Sequence, residues 1–469
     1  MRPRGKKTLL KIAVVSANYL CGFIGDAPKH NIVCEHSLCE EALLNLYRLF
    51  IKNPELAGEL QAVPQEYKRL SRYFIDHKGD NETRYTFPKY LQEYAQDHRP
   101  AKEQREAVGH AVRATLFYSA MADTVYEDDD EELFTAVRAI WQDIVETKFH
   151  ANGSVGAFSF EEKFGQQYDL PNNAYLETCA GVGMIFFGAN MAKLTGRADI
   201  FDTVECAVYN VLRASVSESF DHYTYQNPLE TSGGYARWEW HKCPCCPPML
   251  LKAVGMLPTL IYSLDDEKVL VNLYIDSELK SGDVHLTQRD GKIVFEKDLT
   301  MDLALRIPAW ARDFRVLCGG KEIGTEAVNG YAVVKRHFRQ GEVLEVSCRV
   351  PLVKYAAHPY VKSDIGKVMI KRGSVLYCAE SIDIEGYSEW TDFDISLAEE
   401  SPLELCADQS IRAQRTDGTS IRLIPYYQWN NRGSLPMRVW LNQAGLTADQ
   451  DHIEGWEHLL YRPYREYDD

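Results

Sequence analysis

Apolar residues recur at two different periods along the chain, and the change of period divides it. Up to about Leu264 the spacing is helical, as in HSLCEEALLNLYRLF from His36, EQREAVGHAVRATLFYSAMADTVY from Glu103, EELFTAVRAIWQDIVE from Glu131 and FDTVECAVYNVLRAS from Phe201. Gly, Pro and Asn punctuate these runs, and the pattern predicts about eight or nine helices. The first, LLKIAVVSANYLCGFI, is apolar almost all round, which predicts burial on most sides. From Lys268 onward the runs become short and alternating, as in VLVNLYI, GKIVFEK, MDLALRI, GYAVVKR and EVLEVSCRV, with turn residues between them. A break at His358-Pro359-Tyr360 divides this part in two. The period therefore predicts an α+β multidomain chain: a helical domain over 1–265, a β-sandwich over 266–358, and a second β-sandwich with a C-terminal tail over 359–469.

Composition narrows the function. The 469 residues, 45% hydrophobic and 26% charged, describe a folded chain of roughly three domains. The 68 Asp and Glu outnumber 52 Lys and Arg, for a net charge of −16, which argues against nucleic acid or an anionic membrane surface as partner. The start, with Arg2, Arg4, Lys6 and Lys7 before an apolar run, imitates a signal peptide. Lys11 interrupts the run and no small-residue cleavage site follows, so a cytoplasmic protein without a membrane span is expected. Most of the 12 cysteines sit singly in apolar runs, as small hydrophobes do.

HKCPCCPPM is the exception, with Cys243, Cys245 and Cys246 within four residues just ahead of a helix expected near Pro247. Proline in a first turn places a helix N-terminus behind the thiols, which favours thiolate. A metal site, a structural zinc knot and a packed cluster all fit these residues. No second C-x₂₋₄-C pair follows, so further ligands must come from elsewhere. The best source is LPNNAYLETCAGVGMIFF, where Glu177 and Cys179 stand two apart ahead of an apolar helical run. Residues so spaced point apart in a regular helix, so shared ligation predicts a bent lead-in at 177–179.

ETCA after LPNNAY, the CCPP run and NPLE at Asn227–Glu230 resemble glycoside hydrolase family 127, the β-L-arabinofuranosidases. The resemblance continues through LRIPAWA, GKVMIKRGSVLYCAE and IPYYQWNNRG, covering nearly the whole chain. It implies an (α/α)₆-type barrel followed by β-sandwich modules. It also implies a retaining glycosidase that releases β-L-arabinofuranose, or a related sugar, from plant-derived glycans such as an arabinose-containing oligosaccharide. Zn²⁺ would be held by Glu177, Cys179, Cys245 and Cys246. Cys245 would be the nucleophile, while Cys243 takes no metal bond. Glu162 in EKFG would be the acid/base, with neighbouring Glu161 its rival. His36, His110, Glu205 and Tyr225 match positions that face or contact the sugar, although a histidine on an amphipathic helix can equally be a cap or a core-edge residue. Trp238 and Trp240 could stack on a sugar or simply on their neighbours.

The chain departs from the family pattern at Met249 and Lys252, where Asn and Arg are usual, and in the segment before EKFG. Set against the family, it starts well inside the barrel, with too few helices to close one. A homo-oligomer, or a second chain covering the open barrel edge, is therefore expected. The alternative is a non-catalytic carbohydrate-binding or assembly protein that keeps the zinc as a structural clip.

Overall fold

The computed structural model describes residues 7–82, 88, 91–265, 267–387, 395–446 and 453–467. Two compact units emerge: Met1–Val145 with Phe158–Gly165, and Glu146–Ala157 with Gln166–Asp469.

In the first unit, α1 (Thr8–Phe23), α2 (Cys39–Lys52), α3 (Pro54–Leu60) and α4 (Pro64–Asp76) share one core. Proline at the first position of α3 and α4 sets φ where an amide hydrogen has no helical partner anyway. α2 buries Leu43, Leu44 and Phe50, and α4 buries Tyr67, Leu70, Tyr73 and Phe74, each a single stripe. α1 behaves otherwise than its composition predicts. It buries Val14, Ala17 and Cys21 but leaves Leu9, Ile12, Val15 and Tyr19 exposed on its other side.

α5 (Ala111–Asp128) is buried along most of its length, and α6 (Glu131–Thr147) follows with Glu131 and Glu132 in its first turn. The periodic run from Glu103 is thus not one helix. Gly109 has φ +72°, and a Cβ there would stand 1.8 Å from the Glu93 carbonyl, so the chain must turn before α5 can start.

In the second unit, α7 (Thr178–Thr195) is buried over most of its length. α8 (Ile200–Ala207) runs into a π turn at Val208–Leu212, and α9 (Cys246–Ile261) leads directly into a strand at Tyr262–Leu264. That strand edges a five-stranded sheet in which Lys268–Val271 and Asp302–Arg306 pair in parallel. A six-stranded sheet over Ser277–Arg349 pairs its neighbours antiparallel. The C-terminal sheet recruits Glu230–Ser232, a strand from the helical half, which pairs with Pro436–Arg438. Among the described residues, no helix is long and apolar enough to cross a membrane.

The LPNN turn is fastened to the C-terminal part through Ser363 and Asp364: Ser363 Oγ donates to Leu170 O at 2.7 Å, and a buried hydrogen bond joins Asn172 to Asp364. Asn172 Nδ2 donates to Asp364 Oδ1 at 2.7 Å, and burial lifts the Asp364 carboxyl to about 7. The folded protein then holds a proton that the unfolded chain releases near its ordinary carboxylate value. Stability attributable to this group falls as pH rises from about 4 to 7. Asp364→Asn keeps the acceptor and removes the buried charge. It is expected to raise the melting temperature at pH 8 and to change it little at pH 4; equal shifts at both would refute this account.

Candidate active site

The chain brings four ligand-type side chains together in the second unit. Glu177 is the N-cap of α7 with an extended backbone (φ −63°, ψ 137°), and Cys179 sits in the first helical turn. The expected bend therefore falls at Glu177 alone. Cys245 is the N-cap of α9 and Cys246 its first residue. Two neighbouring sulfurs can converge here because they stand at a helix start, where no preceding turn blocks them.

Cys245 Sγ lies 3.2 Å and Cys246 Sγ 3.8 Å from Glu177 Oε1, and Cys179 Sγ lies 3.4 Å from Cys245 Sγ. One ligand atom from each of the four falls within 4.8 Å of the others. Tetrahedral donors about 2.3 Å from a common ion stand about 3.8 Å apart, so the spacing suits a metal ion. Neighbouring thiols and burial push the Cys179 thiol up, and Cys246 is also raised, so these thiols keep their protons unless a cation stands among them. Three of the four are buried, and Cys245 is the most open. Cys243 stands outside the group; its carbonyl accepts a hydrogen bond from the Tyr223 hydroxyl at 2.8 Å.

Buried hydrogen bonds fix the Glu177 turn. The backbone N–H of Thr178 donates to Tyr225 O at 2.9 Å, and that of Asn227 to Leu176 O at 2.8 Å. Asn227 Nδ2 also donates to Thr178 Oγ1 at 2.9 Å. The NPLE and ETC segments are thereby held side by side. Tyr225 stacks on Trp238 with ring centroids 4.9 Å apart, and burial, with Glu177 nearby, pushes its hydroxyl well up. Lys242 Nζ covers the Trp238 ring at 4.6 Å, and Trp240 stacks on Tyr223, so each tryptophan already has an aromatic partner.

The first unit holds the second group. His110 caps α5, its Nδ1 accepting the Val112 N–H at 3.2 Å. Nε2 must then carry the ring hydrogen, and it stands 2.6 Å from Glu162 Oε2. The histidine is thus both a cap and a carboxylate partner. Glu161 and Glu162 occupy consecutive left-handed positions (φ 58° and 51°), a conformation that costs about 1 kcal/mol or more per non-glycine residue. The turn separates their side chains: Glu161 Oε2 takes Lys163 Nζ at 2.9 Å, while Glu162 meets His110. His36 is exposed, with its ring 6.2 Å from that of His110. Two neighbours escaped the sequence reading. The Tyr94 ring packs 5.4 Å from that of His110, and Arg113 lies 4.6 Å over Tyr94. Tyr94 comes from an irregular segment without periodicity, so no local pattern marks it.

Glu205 requires a correction. Expected at a sugar hydroxyl, it is instead buried in a structural clamp. Its Oε2 pairs with Arg306 Nη2 at 2.8 Å and accepts from Trp310 Nε1 at 2.8 Å and Ser374 Oγ at 2.6 Å. Arg306 and Trp310 belong to LRIPAWA and Ser374 to GKVMIKRGSVLYCAE, so these stretches are matched to α8 through one carboxylate. The departures are also accommodated: Met249 is buried, and Lys252 Nζ lies 4.2 Å over the Phe186 ring.

Three comparisons place this chain, with its Glu/Cys₃ cluster in the helical part and β-rich modules after it, in one class of hydrolase. A family profile described as "Beta-L-arabinofuranosidase, GH127 catalytic domain" matches residues 2–259; the family's middle-domain profile matches 268–350 and its C-terminal-domain profile 353–442. A non-reducing end β-L-arabinofuranosidase from Bifidobacterium longum subsp. longum is 27% identical, over 86% of this chain and 70% of its own length. Among solved structures, a GH127 β-arabinofuranosidase superposes with a TM-score of 0.83 at 30% identity, over 94% of this chain and 74% of that one. A GH127 β-L-arabinofuranosidase from Geobacillus stearothermophilus T6 gives 0.82 at 28% identity, over 94% and 78%. The chain belongs to glycoside hydrolase family 127 and is a glycoside hydrolase of the β-L-arabinofuranosidase type.

Proposed function

We propose that this hydrolase releases β-L-arabinofuranose from arabinose-containing glycosides with retention of anomeric configuration. In this reading Cys245 is the nucleophile and Glu162 the acid/base, and Glu177, Cys179, Cys245 and Cys246 hold zinc. The helical part, 1–265, belongs to an (α/α)₆-type barrel, and 266–358 and 359–469 are β-sandwich modules. The observation that carries the proposal is the convergence of Cys245, the most open of three thiols, on the Glu177 carboxylate.

A zinc ion bound there would keep the Cys245 sulfur deprotonated at neutral pH, where a free thiol is mostly protonated. Cys245 Sγ then attacks the anomeric carbon while the Glu162 carboxyl gives its proton to the departing glycosidic oxygen. In the second half Glu162, now ionised, takes a proton from water, whose oxygen displaces the sulfur. His110, donating to Glu162, orients the carboxylate. His36 and Tyr225 are assigned to the sugar, and Glu205 is withdrawn because its oxygen is already committed.

The test joins two measurements on one preparation. Purified protein is expected to contain about one zinc per chain and to release p-nitrophenol from its β-L-arabinofuranoside, with the initial sugar product retaining configuration. An inverted product would refute the covalent route; stoichiometric iron or copper in place of zinc would refute the metal assignment.

A further inference from the structure

Five of the free cysteines, Cys21, Cys179, Cys206, Cys246 and Cys378, are buried, but Cys34 and Cys39 are half-exposed. They bracket the four residues 35–38, and their side chains are hydrogen-bonded to each other. Their surroundings set them apart from packing cysteines. Cys39 is the first residue of α2, a helix of 14 residues, at the end where peptide dipoles favour an anion. Buried Lys78 donates from Nζ to the Cys34 carbonyl at 2.6 Å, placing a positive charge beside the pair. The hydrogen bond from Cys34 holds the Cys39 thiol below its ordinary value. Glu40 is the opposing neighbour, but burial pushes its carboxyl up, which weakens the opposition.

The intervening turn is also held ready. Ser37 Oγ and the Leu38 N–H donate to the Glu40 carboxylate at 3.2 and 3.1 Å, Ser71 Oγ donates to Glu40 O at 2.8 Å, and Arg113 Nη1 donates to Glu35 O at 2.8 Å. The two thiols, already hydrogen-bonded to each other, thus flank a turn whose backbone is tied down on both sides.

We propose that Cys34 and Cys39 are a thiol–disulfide exchange site, closing reversibly to a disulfide by reaction with a low-molecular-weight disulfide such as oxidised glutathione. The Cys39 thiolate attacks one sulfur of the small disulfide and expels its partner as thiolate, leaving a mixed disulfide on Cys39. The Cys34 thiol then loses its proton to solvent and attacks Cys39 Sγ, expelling the second small thiolate. Overall the protein dithiol is oxidised and one small disulfide is reduced to two thiols. The closed loop contains His36, whose ring is 6.2 Å from that of His110. The proposal does not depend on the assignment of the nucleophile or of the metal.

The test uses the metal-loaded protein in glutathione buffers of increasing oxidised fraction, followed by acid quench, alkylation and peptide mapping, with metal content checked in parallel. Wild type is expected to yield a 34–39 peptide lacking two hydrogens, and to lose that link on return to reduced glutathione. In Cys34→Ser, Cys39 should carry one glutathione; in Cys39→Ser, Cys34 should remain alkylatable under the same conditions. Absence of the link in wild type at the most oxidising buffer would overturn the proposal. So would a link that persists in reduced glutathione, or equal glutathionylation of the two single variants.

Discussion

Replacing Cys245 with serine is expected to lower kcat by on the order of 10⁴-fold or more while leaving the fold intact. Serine is nearly isosteric with cysteine, and Cys245 is the most open of the four clustered residues, so little packing is lost. The chemistry fares worse, because an alkoxide forms at far higher pH than a thiolate and is a poorer zinc ligand. Cys243→Ser serves as the internal comparison. That residue stands outside the cluster and uses its carbonyl, which serine retains, so activity should stay within a few-fold of wild type. The two variants need kcat, zinc content and melting temperature measured side by side. Activity surviving in Cys245→Ser but lost in Cys243→Ser would move the nucleophile by two residues.

The sequence makes the cluster legible for a physical reason. Thiols are rare and their metal chemistry demands several together, so ETC and CPCC stand out against apolar runs where cysteine is only a small hydrophobe. Glu205 illustrates the opposite case. A carboxylate on an amphipathic helix looks alike whether it meets a sugar or a buried guanidinium, and its partner Arg306 lies about a hundred residues further on, in the β part. No local pattern carries that pairing. The helix from Glu103 fails for a related reason: periodicity registers the apolar spacing but not the left-handed glycine at 109 that forces the chain to turn first. The strand Glu230–Ser232 is equally hidden, since three residues give no period and the pairing is with Pro436–Arg438.

α1 shows where composition misleads. An all-round apolar helix ordinarily lies inside a core. Here one side is taken up by Val14, Ala17 and Cys21 while Leu9, Ile12, Val15 and Tyr19 face outward. The pattern reports that both sides suit burial, whereas the described residues bury only one of them.

Glu162→Gln should lower kcat/KM by about 10²- to 10⁴-fold for glycosides with alkyl or sugar leaving groups, and far less for activated aryl glycosides. The difference arises because a phenolate such as p-nitrophenolate departs without a proton, whereas an alkoxide does not. With an activated substrate the first half then proceeds and the second becomes limiting, since glutamine cannot take a proton from water. Azide needs no deprotonation, so adding it should restore turnover and yield a glycosyl azide. The neighbouring variant sharpens the assignment. Glu161 is paired with half-exposed Lys163, an ion pair of the kind typically worth no more than about 1 kcal/mol, so Glu161→Gln should be nearly neutral. Both substitutions preserve the left-handed turn equally, because each exchanges only a carboxylate oxygen for an amide nitrogen. Equal losses in the two variants, independent of leaving group and not restored by azide, would assign the segment a structural role and leave the acid/base to be found elsewhere.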